Sequence, residues 1–146
     1  MGASCILQIE DEEADVFLLR HAFQKADIRQ TVQVVTGGQE AMDYFSGAGR
    51  FADRQKYPLP ALVLLDLKLP DKHGLEVLEW VRDQAAWKRT VVIVLTSSND
   101  PADIERAYEG GVNSYVVKAA DNQKRLEFAQ HLKGWWLVHN QFAATA

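Results

Sequence analysis

Asp66 closes an apolar run, Leu62-Val63-Leu64-Leu65, and Leu67-Lys68-Leu69-Pro70 breaks the pattern at once, leaving one carboxylate at the mouth of a buried strand. That is a place for chemistry. Other apolar runs also stop at polar residues: Cys5-Ile6-Leu7-Gln8-Ile9 ends in Glu10 and Asp11, Val91 to Leu95 ends in Thr96-Ser97-Ser98, and Ser114 to Val117 ends at Lys118. Brought to one sheet edge, these ends would set carboxylates against one hydroxyl and one ammonium.

Short hydrophobic runs separated by amphipathic stretches are the pattern of parallel strands buried on both faces by crossover helices, with right-handed connections. In such an open sheet ligands sit outside the carboxyl ends of the strands. The intervening segments supply the helices. Val16, Leu19, Ala22, Phe23 and Ala26 recur at helical spacing behind the acid-rich stretch Asp11 to Asp15, whose charges suit the positive end of a helix, so the first helix is expected from about Asp15 to Ala26. Thr31 to Val35 reads as the second strand, followed by Gly37-Gly38 and a helix bearing Ala41, Met42 and Phe45. Ser46 to Pro60 reads as the longest loop. Gly74 to about Ala85 places Leu75, Leu78 and Val81 on one face. Asp100-Pro101 opens a fourth helix with a capping acid and a proline at its first position, Ile104, Ala107 and Tyr108 are expected to face inward, and Gly110-Gly111 ends it. A fifth helix begins near Asn122.

Composition narrows the function classes. The chain of 146 residues is 47% hydrophobic and 25% charged, enough for one domain with a proper core and too short for a second. A formal charge of -4 offers no basic stripe for nucleic acid. The one cysteine, Cys5, lies inside the first apolar run, where it reads as a small buried hydrophobe in a reducing compartment. No basic leader precedes that run, and no stretch approaches the roughly 18 apolar residues of a membrane span, so a soluble, cytoplasmic protein is expected. His21, His73, His131 and His139 show no metal-ligand spacing.

The polar ends and their order resemble the receiver domains of two-component response regulators, over roughly Ile6 to Leu132. The motifs are the acid pair Glu10-Asp11, Asp66 followed by Leu-x-Leu-Pro-x-x-x-Gly through Gly74, Thr96 after the fourth strand, and Tyr115 with Lys118 around the fifth. Singly, each has an ordinary explanation as a solvated helix start, a turn, a helix cap, a core tyrosine or a surface lysine. Their joint placement at strand ends does not. The resemblance implies a flavodoxin-like receiver, an α/β fold with a doubly wound five-stranded parallel sheet in the order 2-1-3-4-5 and helices on both faces. It implies that Asp66 accepts a phosphoryl group from a histidine kinase, with Mg2+ held by Asp11, Asp66 and the backbone carbonyl of Lys68, and by Glu10 through water. Lys118 and Thr96 would take phosphate oxygens, and Tyr115 would rotate as the switch that changes a protein-binding surface.

The sequence departs from the family pattern at Ala119, where a proline in a cis peptide usually follows the lysine; a non-proline cis bond costs about 2.5 to 4 kcal/mol, so the strain is kept or the loop is rebuilt. His73 stands where Asp or Asn is commoner, and Lys68 lies beside the path of a water attacking the phosphate. The expected layout is a single receiver domain over residues 1–146, extended by a C-terminal helix and tail from about 122 to 146, with no output domain. That tail is rich in apolar residues: Phe128, Leu132, Trp135 and Phe142 form one line and Ala129 with Trp136 another, which predicts a homodimer through the segment Leu126 to Phe142. The tail and the long loop resemble small response regulators that serve bacterial phytochromes. Three rival readings stand beside this one. A phosphorylation-independent binding module on the same fold draws support from Ala119. A haloacid-dehalogenase-type phosphatase would want a second Asp where Lys68 stands, and a flavodoxin-type electron carrier a Ser/Thr/Gly-rich loop where Glu10-Asp11-Glu12-Glu13 would repel phosphate.

Overall fold

A computed structural model describes residues 5–144. Five strands, β1 (Cys5–Ile9), β2 (Thr31–Val35), β3 (Leu62–Leu65), β4 (Val91–Thr96) and β5 (Ser114–Val117), form one parallel sheet in the order β2-β1-β3-β4-β5. The expected fold and strand order are both present. The central strands β1 and β3 are buried along their whole length, which is why they read as continuous apolar runs without alternation.

Four helices cross between them, α1 (Glu13–Lys25), α2 (Gly38–Ser46), α3 (Gly74–Asp83) and α4 (Pro101–Glu109), and α5 (Asn122–His131) follows β5. The first begins two residues earlier than expected and the third ends two earlier. Against one face of the sheet, α2, α3 and α4 bury Tyr44, Phe45, Val77, Leu78, Val81 and Ala107. On the other, α1 and α5 bury Leu19, Ala22, Phe23 and Ala129 against Ile6, Leu62, Leu64 and Ile93. Tyr108, expected inward, is exposed, because Ala107 alone makes the inward contact at that turn of a nine-residue helix.

The segment expected as a long loop is a packed unit. A short 3-10 helix, Gly49–Ala52, buries Phe51. The Arg54 guanidinium donates to the carbonyls of Tyr44, Phe45 and Tyr57 at 2.7, 2.6 and 3.2 Å. Two of those carbonyls belong to the last turn of α2, where the helix leaves acceptors without partners.

The tail also departs from the expectation. After His131 the chain continues as a π-helix, Leu132–His139, and closes with the Asn140 N–H donating to the Trp135 carbonyl at 2.7 Å. With i→i+5 bonding, residues five apart come to one side. Leu132 and Leu137 therefore both pack into the second core, where Ala129, Trp136 and, beyond the end of the π-helix, Phe142 join them, while Trp135 is 65% and Val138 58% exposed. The two expected lines of apolar residues are thus wrong as drawn: Leu132, Phe142 and Trp136 share a side, and Trp135 stands alone. The Lys133 ammonium meets the carbonyl of Ala26 at 3.2 Å, and Arg89 donates to the carbonyl of Ala144 at 3.2 Å, pinning the tail to its own domain.

Candidate functional site

Register brings the site together. Ile9 pairs with both Val35 and Leu65, and Leu65 with Val94, so Glu10 and Asp66 are the next residues on neighbouring strands. The ladder continues one step past the strands: Asp66 N–H donates to Ile9 O at 3.0 Å, Glu10 N–H to Val35 O at 2.9 Å, and Lys118 N–H to Thr96 O at 2.7 Å. Backbone pairing therefore fixes where each functional residue leaves the sheet. Carboxylate oxygens of Glu10, Asp11 and Asp66 all lie within 4.8 Å of one another.

Into this cluster Lys118 extends its ammonium. Nζ lies 2.6 Å from Glu10 Oε1, 2.7 Å from Asp15 Oδ2 and 3.1 Å from Asp66 Oδ2. Burial pushes the Glu10 carboxyl up to about 7, with Lys118 opposing and the charge of Asp66 reinforcing the rise. Burial alone would raise Asp66 too, but hydrogen bonding with Glu10 and the charge of Lys118 outweigh it and hold Asp66 below the usual carboxylate range. A proton shared by the pair thus resides on Glu10, and Asp66 stays anionic. Lys118 is desolvated, yet its three carboxylates more than offset this and keep it charged.

The loop after Asp66 is built to fold over it. A Cβ on Gly74 would stand 2.2 Å from the Asp66 carbonyl oxygen and 2.8 Å from Leu67 Cα, so only glycine lets α3 start this close to the strand. His73 caps α3: Leu75 N–H donates to its Nδ1 at 3.2 Å, and Glu76 accepts from the His73 N–H at 3.0 Å. Asp71 fastens the same loop to α2 by accepting from the N–H groups of Gly38 and Gln39 at 2.8 and 2.9 Å, which holds its carboxyl below the usual range. Lys68 donates its N–H to Asp66 Oδ1 at 3.3 Å and leaves its side chain in solvent.

Thr96 is fully buried at the end of β4. Tyr115 is half-buried, and its hydroxyl donates to the Ser98 carbonyl at 2.9 Å, tying it to the loop that Thr96 begins. The Lys118–Ala119 peptide is trans, so the loop is rebuilt and no strained bond is kept. Of the residues expected at the site, Glu10, Asp11, Asp66 and Lys118 are brought into contact range, and Thr96, Tyr115 and Lys68 flank them. Asp15 was missed. Its one signal was its position in the first turn of an acid-rich helix, which also describes Glu13. Between β5, α1 and α5 lies a groove of about 810 Å3 whose lining runs from Glu10, Asp15 and Lys118 to Trp135 and Trp136.

Residues 6–130 match the response regulator receiver domain family. The chain belongs to that family. Among curated relatives of this receiver, the probable methanogenesis regulatory protein FilR2 of Methanothrix harundinacea is 33% identical, covering 93% of this chain and 85% of the relative. Response regulator Rcp1 of Synechocystis is also 33% identical, covering 90% and 88%; its Mn2+-bound form superposes with a TM-score of 0.86 at 31% identity over 97% of this chain and 99% of that one. The phosphorylated cyanobacterial phytochrome response regulator RcpA superposes with a TM-score of 0.89 at 32% identity, again over 97% and 99%. The receiver thus resembles phytochrome response regulators in sequence and over nearly its whole length in structure. Its acid cluster offers hard oxygen donors whose negative charge a single ammonium only partly offsets, which is the chemistry that suits a divalent cation. Among the described residues no helix is long and apolar enough to cross a membrane.

Proposed function

We propose that this receiver is a stand-alone response regulator that accepts a phosphoryl group from a sensor histidine kinase on Asp66. The observation that carries the reading is the meeting of Glu10, Asp11 and Asp66 within 4.8 Å, with the Lys118 ammonium 3.1 Å from Asp66. Asp66, kept anionic while Glu10 takes any shared proton, is the nucleophile. Its oxygen attacks phosphorus as the bond to the kinase imidazole breaks, and the imidazole leaves with the electron pair.

Mg2+, held by Asp11, Asp66 and the Lys68 carbonyl with Glu10 behind a water, would supply the positive charge that brings two anions together. Lys118 then turns from Glu10 and Asp66 to a phosphoryl oxygen, and Thr96 donates its hydroxyl to another. The Tyr115 hydroxyl, now on the Ser98 carbonyl, is released as that loop moves, which alters the surface made by α4, β5 and α5. The protein is not an enzyme toward other substrates; it takes part in its own phosphotransfer and slow dephosphorylation.

The likeness to Rcp1 and RcpA supports a bacterial phytochrome as the kinase, and a changed surface implies a downstream protein as reader. We infer a single receiver domain over the described residues, working in the cytoplasm. We also infer a homodimer through the segment 126–142, a second copy being the occupant that covers Trp135 and Val138. The phosphorylation-independent module loses its main support, because Lys118 reaches Asp66 with Ala119 behind it. Acetyl phosphate and Mg2+ should add one phosphoryl group to the intact protein by mass spectrometry and none to Asp66→Asn. Equal gain in the variant would remove Asp66 from the role.

A further inference from the structure

Asp15 stands in the first turn of α1 and lies outside the carboxylate cluster of Glu10, Asp11 and Asp66. Its Oδ2 nevertheless accepts from Lys118 Nζ at 2.7 Å, closer than the 3.1 Å to Asp66. The three carboxylates around that ammonium differ in setting: the Asp15 side chain is 37% exposed, against 4% for Glu10 and 6% for Asp66. Lys118 is therefore slung between one hydrated anion and two dry ones.

Nothing in its own loop holds it. Lys118-Ala119-Ala120 offers only methyl side chains beyond the lysine, and the Lys118 N–H bond to Thr96 fixes the backbone but not the flexible four-carbon stem. The restraint comes instead from across the fold, from Glu10 at 2.6 Å and Asp66 at 3.1 Å on the strand ends and from Asp15 on α1, 103 residues away in sequence. In the phosphotransfer proposed above, on which this inference rests, Glu10 and Asp66 both change partners. Asp15 is the one anion of the three that can stay with the ammonium throughout.

We propose that Asp15 is a positioning residue: it keeps the Lys118 ammonium at the pocket mouth when Glu10 and Asp66 release it, ready for the incoming phosphoryl oxygens. A carboxylate here also repels the phosphoryl group. At its exposure that repulsion is screened by water, whereas a lysine free among its rotamers misplaces charge at the reacting atoms, and misplacement by about 1 Å can cost on the order of a hundredfold in rate. The gain from positioning is the larger effect.

A double-mutant cycle on the full chain tests it. Phosphoryl uptake on Asp66 from acetyl phosphate at saturating Mg2+ should slow roughly tenfold in Asp15→Ala, and Asp15→Glu should recover most of the rate. In a Lys118→Ala background the same Asp15→Ala change should alter the rate by less than about twofold, because the ammonium it positions is gone. An equal factor in both backgrounds would show that Asp15 acts through its field alone and would overturn the proposal, as would no slowing in the intact background. The same cycle without metal, read by urea unfolding, should give a coupling of roughly fivefold in the unfolding constant. Absence of phosphoryl gain in the unmodified protein would overturn the phosphoacceptor reading, while a metal-free coupling below about 1.5-fold would overturn the hold of Asp15 on Lys118 independently of it.

Discussion

The two faces of the sheet are covered to different standards. Under α2, α3 and α4, aromatic rings pack on one another: Tyr44 on Phe51 at 5.0 Å, Phe45 on Trp87 at 5.4 Å and Trp80 on Trp87 at 5.5 Å between centroids. Under α1 and α5, a groove of about 810 Å3 remains, and Leu95 and Val116 on the strands are only partly covered. The acid cluster lies on the seam between them. Asp66 is fastened to the dense side through Gly74 and Asp71, while Glu10 and Lys118 line the open side. A site with one rigid wall and one accommodating wall can hold its nucleophile still while its ammonium moves, which is what the proposed chemistry asks of it.

Truncation of a core ring on the dense face should have the largest effect on stability. Phe45 is fully buried between α2, Trp80 and Trp87, so Phe45→Ala should cost about 3 to 5 kcal/mol by urea unfolding. Leu132→Ala, in the lining of the groove, should cost about 2 kcal/mol, at the lower end for leucine, because its surroundings can collapse into open space. Equal losses would mean that the two faces are packed alike.

Gly74→Ala attacks the fastening itself. The new Cβ must push on backbone, so the change should cost about 1 to 3 kcal/mol and should slow phosphoryl uptake on Asp66 as well. Gly134→Ala, in the tail, is the control: a Cβ there would meet nothing within 4 Å. Loss of stability with normal uptake in Gly74→Ala would detach Asp66 from the dense wall.

How much of this was legible in the sequence follows the same division. Strand ends were legible because a buried parallel strand must be apolar and must stop where it meets water, so Glu10, Asp66, Thr96 and Lys118 announced themselves by breaking the runs. Gly74 was legible as part of a motif, and its reason appeared only with the 2.2 Å approach. Contacts made across the fold carried no local signal: Asp15 with Lys118, Asp71 with the start of α2, and Arg54 with its end. The π-helix was not legible at a spacing of 3.6 residues per turn; the five-residue interval from Leu132 to Leu137 was the available clue.

On the open side, acidity offers a smaller test. Glu10 titrates at about 7 in the folded, metal-free protein against 4.5 unfolded, so the folded state binds the extra proton between those values. Stability from Glu10 is therefore complete below about pH 4.5 and is lost as pH rises through about 7. Asp66, shifted down, has already contributed its share above pH 4, and Lys118, shifted up, does not change in this window. Urea unfolding in EDTA should find the protein more stable at pH 5 than at pH 7.5, by on the order of 2 kcal/mol, and Glu10→Gln should flatten the dependence. A flat profile in the unmodified protein would mean that the groove lets water reach Glu10.

The smallest effect on the folded monomer is expected at Trp135, and there the open side becomes informative about assembly. With Trp135 exposed and the rest of the tail pinned through Lys133, Leu137 and Phe142, Trp135→Ala removes little intramolecular packing and should change monomer stability by under about 0.5 kcal/mol. Its cost should appear in self-association instead, because a tryptophan in a subunit interface is the kind of residue whose truncation loses about 2 kcal/mol or more. Trp136→Ala should behave in the opposite sense, weakening the fold through the second core before it touches association. Sedimentation equilibrium of the unmodified chain and both variants separates the roles. A dimer that dissociates in Trp135→Ala with its unfolding curve unchanged places the second copy over the exposed tryptophan. A monomer in the unmodified protein at tens of micromolar would end the dimer, and a dimer indifferent to Trp135→Ala would move the interface to the surface that bears Phe17 or Tyr108, two further aromatics left in solvent.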